Sequence, residues 1–214
     1  MKIEKTITLV RHGATDYNDR DLMQGQLDLP LSKNGIAEAE LLRKELKDEK
    51  FDIIYHSPLL RAFQTAEIVN KEHGLDYIEI DCFKEINIGD WEGGKFSDVH
   101  IKHKDVYLKW LIDAKIRIPG GESYFDVQNR VRDGIKTVLN SNFKNILIFG
   151  HLAVNRGILG NLLNIEADMS RKFKLNNCAY SIFHVYKDRI AKSDDIINDS
   201  FVLLESWNVT KHLR

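Results

Sequence analysis

Ile7-Thr8-Leu9-Val10-Arg11-His12-Gly13-Ala14 is the stretch on which the reading of this chain turns. Its first half is a short run rich in branched aliphatics, the composition of a strand buried on both faces of a parallel sheet. Its second half sets an arginine, a histidine and a glycine where such a strand ends. Far along the chain, Ile146-Leu147-Ile148-Phe149-Gly150-His151 repeats the design, an aliphatic run followed by a glycine and a histidine. In open α/β sheets, ligands bind beyond the carboxyl ends of the strands, often at helix N-termini whose free amides attract anions. Parallel pairing of the two strands brings His12 and His151 to one rim.

The segments between them complete the pattern. Residues 51–55 read as a third strand and 77–80 as a weaker fourth. Ser32 caps a helix whose apolar positions are Ile36, Ala39, Leu42 and Leu46; Leu59, Phe63, Ala66 and Val69 form another, with Gly74 beyond its end. A later helix shows Tyr124, Val127, Val131, Ile135 and Val138, and residues 178–186 and 201–207 read as late strands at an edge. Strands alternating with helices predict an α/β class: an open, mostly parallel sheet covered on both sides by helices.

With 214 residues, 43% of them hydrophobic, the chain buries one sizeable core, so a single domain over 1–214 is expected. Lys and Arg number 31 and Asp and Glu 32, and the net charge of −1 gives no global field for nucleic acid or a membrane surface. Any anion site is therefore local. Cys82 and Cys178 lack metal-ligand spacing, and no charged start with an apolar run precedes the first strand. The apolar stretches are too short to span a bilayer. Together these features predict a cytoplasmic protein with reduced thiols and no cofactor.

Further blocks surround the two histidines. They are Arg11-His12-Gly13-Ala14-Thr15-Asp16-Tyr17-Asn18, Gln24-Gly25, Asp28-Leu29-Pro30-Leu31-Ser32 and Gly35; then Ser57-Pro58-Leu59-Leu60-Arg61-Ala62 with Gln64-Thr65-Ala66; then Glu85-Ile86-Asn87-Ile88-Gly89-Asp90-Trp91-Glu92-Gly93; then Pro119-Gly120-Gly121-Glu122-Ser123; and finally Gly150-His151 with Arg156. In this order the chain resembles, over nearly its whole length, the histidine phosphatase superfamily, also called the phosphoglycerate mutase-like family. The resemblance implies a three-layer α/β/α sandwich and a phosphohistidine mechanism. It departs from many relatives at Ala14, where they have Glu, and at Leu152, where they have Gly.

Phosphoryl transfer needs an in-line nucleophile, positive charge around the equatorial oxygens and a proton for the leaving oxygen. His12 can attack phosphorus through a neutral ring nitrogen if its other nitrogen is held, and the Gly13 carbonyl is a candidate holder. Arg11 and Arg61 carry planar forks suited to phosphate, and by resemblance they belong in its pocket. His151, if protonated beside the anion, adds charge. Asn18, Gln24, Gly25 and the backbone amide of Leu152 are further phosphate-pocket candidates. A carboxyl beside a dianion is disfavoured as carboxylate, which makes Glu85 the candidate acid, with neighbouring Glu92 the alternative. Trp91, Gly93 and residues 119–123 are expected to shape loops.

The activity implied is hydrolysis of a small phosphomonoester with no metal. A compact insertion of about 94–118 favours the small phosphatase branch over a bisphosphoglycerate-binding mutase. From Gly93 to Ile118 it holds six basic residues against three acids, and Val99, His103, Val106 and Trp110 at helical spacing predict one cap helix over the site. Mutase-type transfer and a non-catalytic phosphoester-binding module of the same fold are the alternatives. An oxidoreductase lacks its G-x-G-x-x-G after the first strand, and His100 with His103 lacks acidic partners for a metallohydrolase. The substrate's identity and any homo-oligomer stay open.

Overall fold

A computed structural model describes residues 2–187, 196–197 and 200–214. Six strands, β1 (Ile3–Arg11), β2 (Ile53–His56), β3 (Tyr77–Glu79), β4 (Asn145–Gly150), β5 (Tyr180–Lys187) and β6 (Ser200–Val209), form one sheet in the order β3-β2-β4-β1-β5-β6. The first four run parallel to one another, and β5 pairs antiparallel with both β1 and β6. The mostly parallel sheet of the sequence reading is present, and 201–207 lies in an edge strand as expected, whereas 178–186 supplies β5, which pairs with β1 and β6 and is not at the edge.

Successive residues of a strand point to opposite faces, and both faces of the middle strands are covered. On β4, Ile146 and Ile148 enter a core with α6 (Tyr124–Asn140) and α7 (Leu152–Leu163), while Leu147 and Phe149 enter a second core with α2 (Lys33–Leu46) and α3 (Leu60–Asn70). That two-sided burial is why these strands read as unbroken aliphatic runs. β1 divides the same way, Ile7 and Leu9 to the first core and Val10 to the second. Four shorter helices complete the α-helices of the described residues, α1 (Asp16–Asp19), α4 (Phe96–Lys102), α5 (Lys104–Ile112) and α8 (Ala167–Ser170). Among the described residues no helix is long and apolar enough to cross a membrane.

Two details differ from the sequence reading. The buried line of α2 is Gly35, Ala39, Leu42 and Leu46, whereas Ile36 is 47% exposed. Gly35 takes the inner position because its backbone packs on the loop after β1; a Cβ there would lie 1.9 Å from the Ala14 carbonyl oxygen. The insertion is two helices instead of one. His103 leaves the helical region (φ −117°, ψ 31°), and the break lets Val99 on α4 and Val106 and Trp110 on α5 all join the core that holds Trp91.

Candidate active site

The carboxyl ends of β1, β2 and β4 meet at one rim because Arg11 pairs with Gly150 and His56 with Phe149. The loops leaving that rim carry His12, Ser57 and His151. The two histidine rings lie 5.0 Å apart between centroids, and both are buried. The His12 amide donates to the Gly150 carbonyl, which ties the loop to the neighbouring strand.

His12 Nδ1 lies 2.7 Å from the Gly13 carbonyl oxygen. A carbonyl only accepts, so this nitrogen carries the proton and the Nε2 lone pair is free. Burial, then the charges of Arg61 and Arg11, hold His12 well below the usual histidine value, and the bond to Gly13 offsets only part of that. The neutral ring is the form a nucleophile requires. His151, at the start of α7, sets Nε2 2.7 Å from Ser57 Oγ, while its Nδ1 is buried with no partner among the described residues. Burial and then the charge of Arg61 push it well down too, so without an anion it is neutral at pH 7.

Arg61 is wholly buried on the first turn of α3. It donates to the carbonyls of Leu27 (2.7 Å) and Gly25 (2.8 Å), and its Nε has no partner. Burial pulls the guanidinium down to about 10, which leaves it charged at neutral pH; Glu85 and Asp28 act in the opposite sense. Arg11 donates to the Leu175 carbonyl at 2.7 Å and keeps a buried, unpartnered Nε. Thr65 links the elements: its hydroxyl accepts from the Gly13 amide and donates to the Arg61 carbonyl.

Glu85 lies across the same cavity, its carboxylate against the N-terminus of α7. It accepts from the amides of Ile86 (2.9 Å), Leu152 (3.0 Å) and Ala153 (3.1 Å). The Leu152 amide, read from sequence as a phosphate contact, is thus bonded to Glu85 in the anion-free site. Arg130 fixes the Glu85 loop by donating to the carbonyls of Cys82, Lys84 and Glu85 while pairing with Glu122. Glu92 does not line the cavity; its carboxylate accepts from the Gln26 amide and braces the neighbouring turn.

The cavity, about 150 Å³, is lined by Arg11, His12, Arg61 and Glu85 together with all four secondary candidates, Asn18, Gln24, Gly25 and Leu152. Asn18 completes a capping box with Thr15, which occupies its amide oxygen and leaves the nitrogen as the donor. Gln24 accepts from the Thr15 hydroxyl, and Gly25 supplies the carbonyl that holds Arg61. Arg156 lies elsewhere, in a neighbouring groove with Lys174, where it donates to the Phe173 carbonyl. The loop shapers fall where expected: Trp91 is wholly buried, and Gly120 (φ +70°) leads into the Ser123 capping box of α6. Sequence reasoning gave no site role to Ser57, Thr65 or Tyr124 and did not name Arg130. For Ser57 a signal existed, since it follows β2 at the same rim.

Comparisons with known proteins identify the family. Residues 7–194 match the histidine phosphatase superfamily (branch 1). Phosphoserine phosphatase 1 of Hydrogenobacter thermophilus is 31% identical over 185 residues, 86% of this chain and 88% of that protein. A protein of Proteus mirabilis named probable phosphoglycerate mutase GpmB is 30% identical over 178 residues, 82% of each chain. Among solved structures, phosphoserine phosphatase from Entamoeba histolytica in complex with 3-phosphoglyceric acid superposes with a TM-score of 0.80 at 28% identity, covering 98% of this chain and all of that one. The chain belongs to the histidine phosphatase superfamily.

Proposed function

We propose that the protein hydrolyses small phosphomonoesters through a phosphohistidine at His12. The observation that carries the reading is a neutral imidazole, with Nδ1 bonded to the Gly13 carbonyl, facing one cavity with the buried Arg61, the half-buried Arg11 and a carboxyl. His12 Nε2 forms a bond to phosphorus as the ester P–O bond breaks, and protonated Glu85 gives its proton to the departing alkoxide. Water then attacks phosphorus, Glu85 takes the water's proton, and the N–P bond breaks to release inorganic phosphate. Arg11 and Arg61 hold the equatorial oxygens. Burial first and then arginine charge keep His151 neutral; the arriving dianion offsets the arginine part and favours a protonated His151 that adds to that positive charge. A dianion also competes with the Glu85 carboxylate for the Leu152 and Ala153 amides.

Mutase-type transfer uses the same chemistry with an alcohol in place of water. Hydrolysis is favoured by the compact insertion, whose six basic residues are all exposed and none of which lines the cavity to hold a second phosphate. Because Arg11 and Arg61 supply the charge that a cation supplies in other phosphoryl-transfer sites, we infer that no metal is needed. A panel of phosphomonoesters assayed for released phosphate, before and after dialysis against EDTA, tests both points. Turnover that survives EDTA is expected. Inactivity on every ester, or activity restored only by added divalent cation, contradicts the reading.

A further inference from the structure

The cavity has two unlike halves. The floor is the charged set already described. The apolar part of the lining is built from Leu22, Ile86, Ile88, Phe96, Trp110 and Tyr124. Trp110 stacks on Tyr124 with centroids 5.3 Å apart and packs edge-on against buried Trp91 at 5.4 Å. Arg171 locks the corner by donating to the carbonyls of Trp110 and Leu111 and lying over the Tyr124 ring. Trp110 and Tyr124 are therefore held in place before any ligand arrives.

Apart from Arg171, whose guanidinium lies over the Tyr124 ring without lining the cavity, this wall carries no charge. Among the described residues, the only cationic side chains lining the cavity are Arg11 and Arg61, both on the phosphoryl side. Lys95, Lys102, Lys104, Lys109, Lys115 and Arg117 of the insertion are exposed. Arg156 meets the Tyr124 hydroxyl at 3.4 Å but lines the neighbouring groove. The polar groups beside the wall are neutral: the Asn18 and Gln24 amides and the Tyr124 hydroxyl, whose pKa is raised by burial.

We propose that the cap wall of Phe96, Trp110 and Tyr124 selects phosphomonoesters of uncharged alcohols bearing an aromatic or apolar face, and disfavours phosphorylated amino acids and hydroxy acids. The inference rests on the phosphatase reading for its position and adds the substrate class. A carboxylate on the alcohol portion would give up its water against this wall and find no counter-ion, since both arginines are engaged by the phosphoryl group. An aryl or alicyclic face instead removes apolar surface from water on both sides and gains stacking geometry.

The experiment has a kinetic arm and a binding arm. In the first, kcat/KM is compared for 2-phenylethyl phosphate, ethyl phosphate and O-phosphoserine, all esters of poorly acidic alcohols. The phenylethyl ester should exceed ethyl phosphate by about ten- to a hundredfold, the factor expected for burying one phenyl ring, and exceed O-phosphoserine by at least as much. Trp110→Ala should shrink the phenylethyl-to-ethyl ratio about tenfold; a ratio measured on one preparation is indifferent to the fraction folded. In the second arm, calorimetry compares 3-phenylpropylphosphonate with 2-amino-4-phosphonobutanoate, which cannot be hydrolysed and so report on the wall even if every ester proves inert. Tighter binding of the phenyl compound supports the proposal. Equal or reversed preference in either arm, or a ratio unmoved in Trp110→Ala, overturns it, and turnover of O-phosphoserine above the phenylethyl ester would do so while leaving the phosphatase reading intact.

Discussion

Replacing Glu85 by Gln separates the observed anchoring of its carboxylate from the proposed role as general acid. The carboxylate accepts from Ile86 and Ala153 through Oε1 and from Leu152 through Oε2. With the amide oxygen of Gln at the Oε1 place, its NH₂ group faces the Leu152 N–H across 3.0 Å, donor against donor. One charge-assisted hydrogen bond is lost, which costs about 1.5–3 kcal/mol, read as a lower urea midpoint with an unchanged slope. The chemical loss is separate. A proton donor matters most when the leaving oxygen is strongly basic, so phosphorylation by alkyl phosphates should slow by about 10²- to 10⁴-fold, and phosphorylation by p-nitrophenyl phosphate much less. Single-turnover rapid quench at saturating enzyme is the assay, because Glu85 also serves as base in the hydrolysis step and steady-state rates mix the two. Arg61→Ala is the control: it removes charge from the pocket whatever the leaving group, so both esters suffer alike. Equal losses on both esters for Glu85→Gln would move the acid elsewhere, and undiminished stability would refute the amide cradle.

Ser57→Ala leaves His151 bonded at neither nitrogen, which should lower stability by about 1–3 kcal/mol and reduce kcat/KM; a variant matching the parent in both contradicts the assigned pairing. Because burial depresses His12 and His151, both rings should be neutral at pH 6.5 in phosphate-free buffer by ¹⁵N NMR, and a protonated ring there counts against the electrostatic account. The linked stability follows in sign: below about pH 6.5 the unfolded chain binds these protons and the folded one does not, so stability falls with pH by up to about 1.4 kcal/mol per unit for each histidine. Parallel urea titrations of the parent and a His12→Asn/His151→Asn variant should therefore diverge between pH 6.5 and 5.5, and superimposable pH dependences would refute the linkage.

What the sequence disclosed and what it hid have physical reasons. β1 and β4 were legible because burial on both faces demands continuous aliphatic runs, and His12 and His151 because each follows such a run directly. Arg11, Arg61 and Glu85 needed the surrounding blocks, since an arginine on a helix start or a glutamate in a loop has no periodicity that marks it as buried. Ile36 misled because hydropathy ignores close backbone approach: the inner position of α2 went to Gly35, where no side chain fits. The break at His103 was hidden because Val99, Val106 and Trp110 keep a helical spacing on either side of it. The basic excess of the insertion gave no direction, and in the structure those side chains face solvent while only Phe96 and Trp110 of the insertion line the cavity. The bond between Leu152 and Glu85 joins positions 67 residues apart, beyond any local pattern.

The central claim is that His12 carries the phosphoryl group. Rapid quench with ³²P-labelled ester should trap label on the protein at up to one equivalent, stable in alkali and lost in acid, as a phosphoramidate is, and mapping to the peptide that contains His12. Label stable in acid and lost in alkali, or label retained in His12→Ala, contradicts the account.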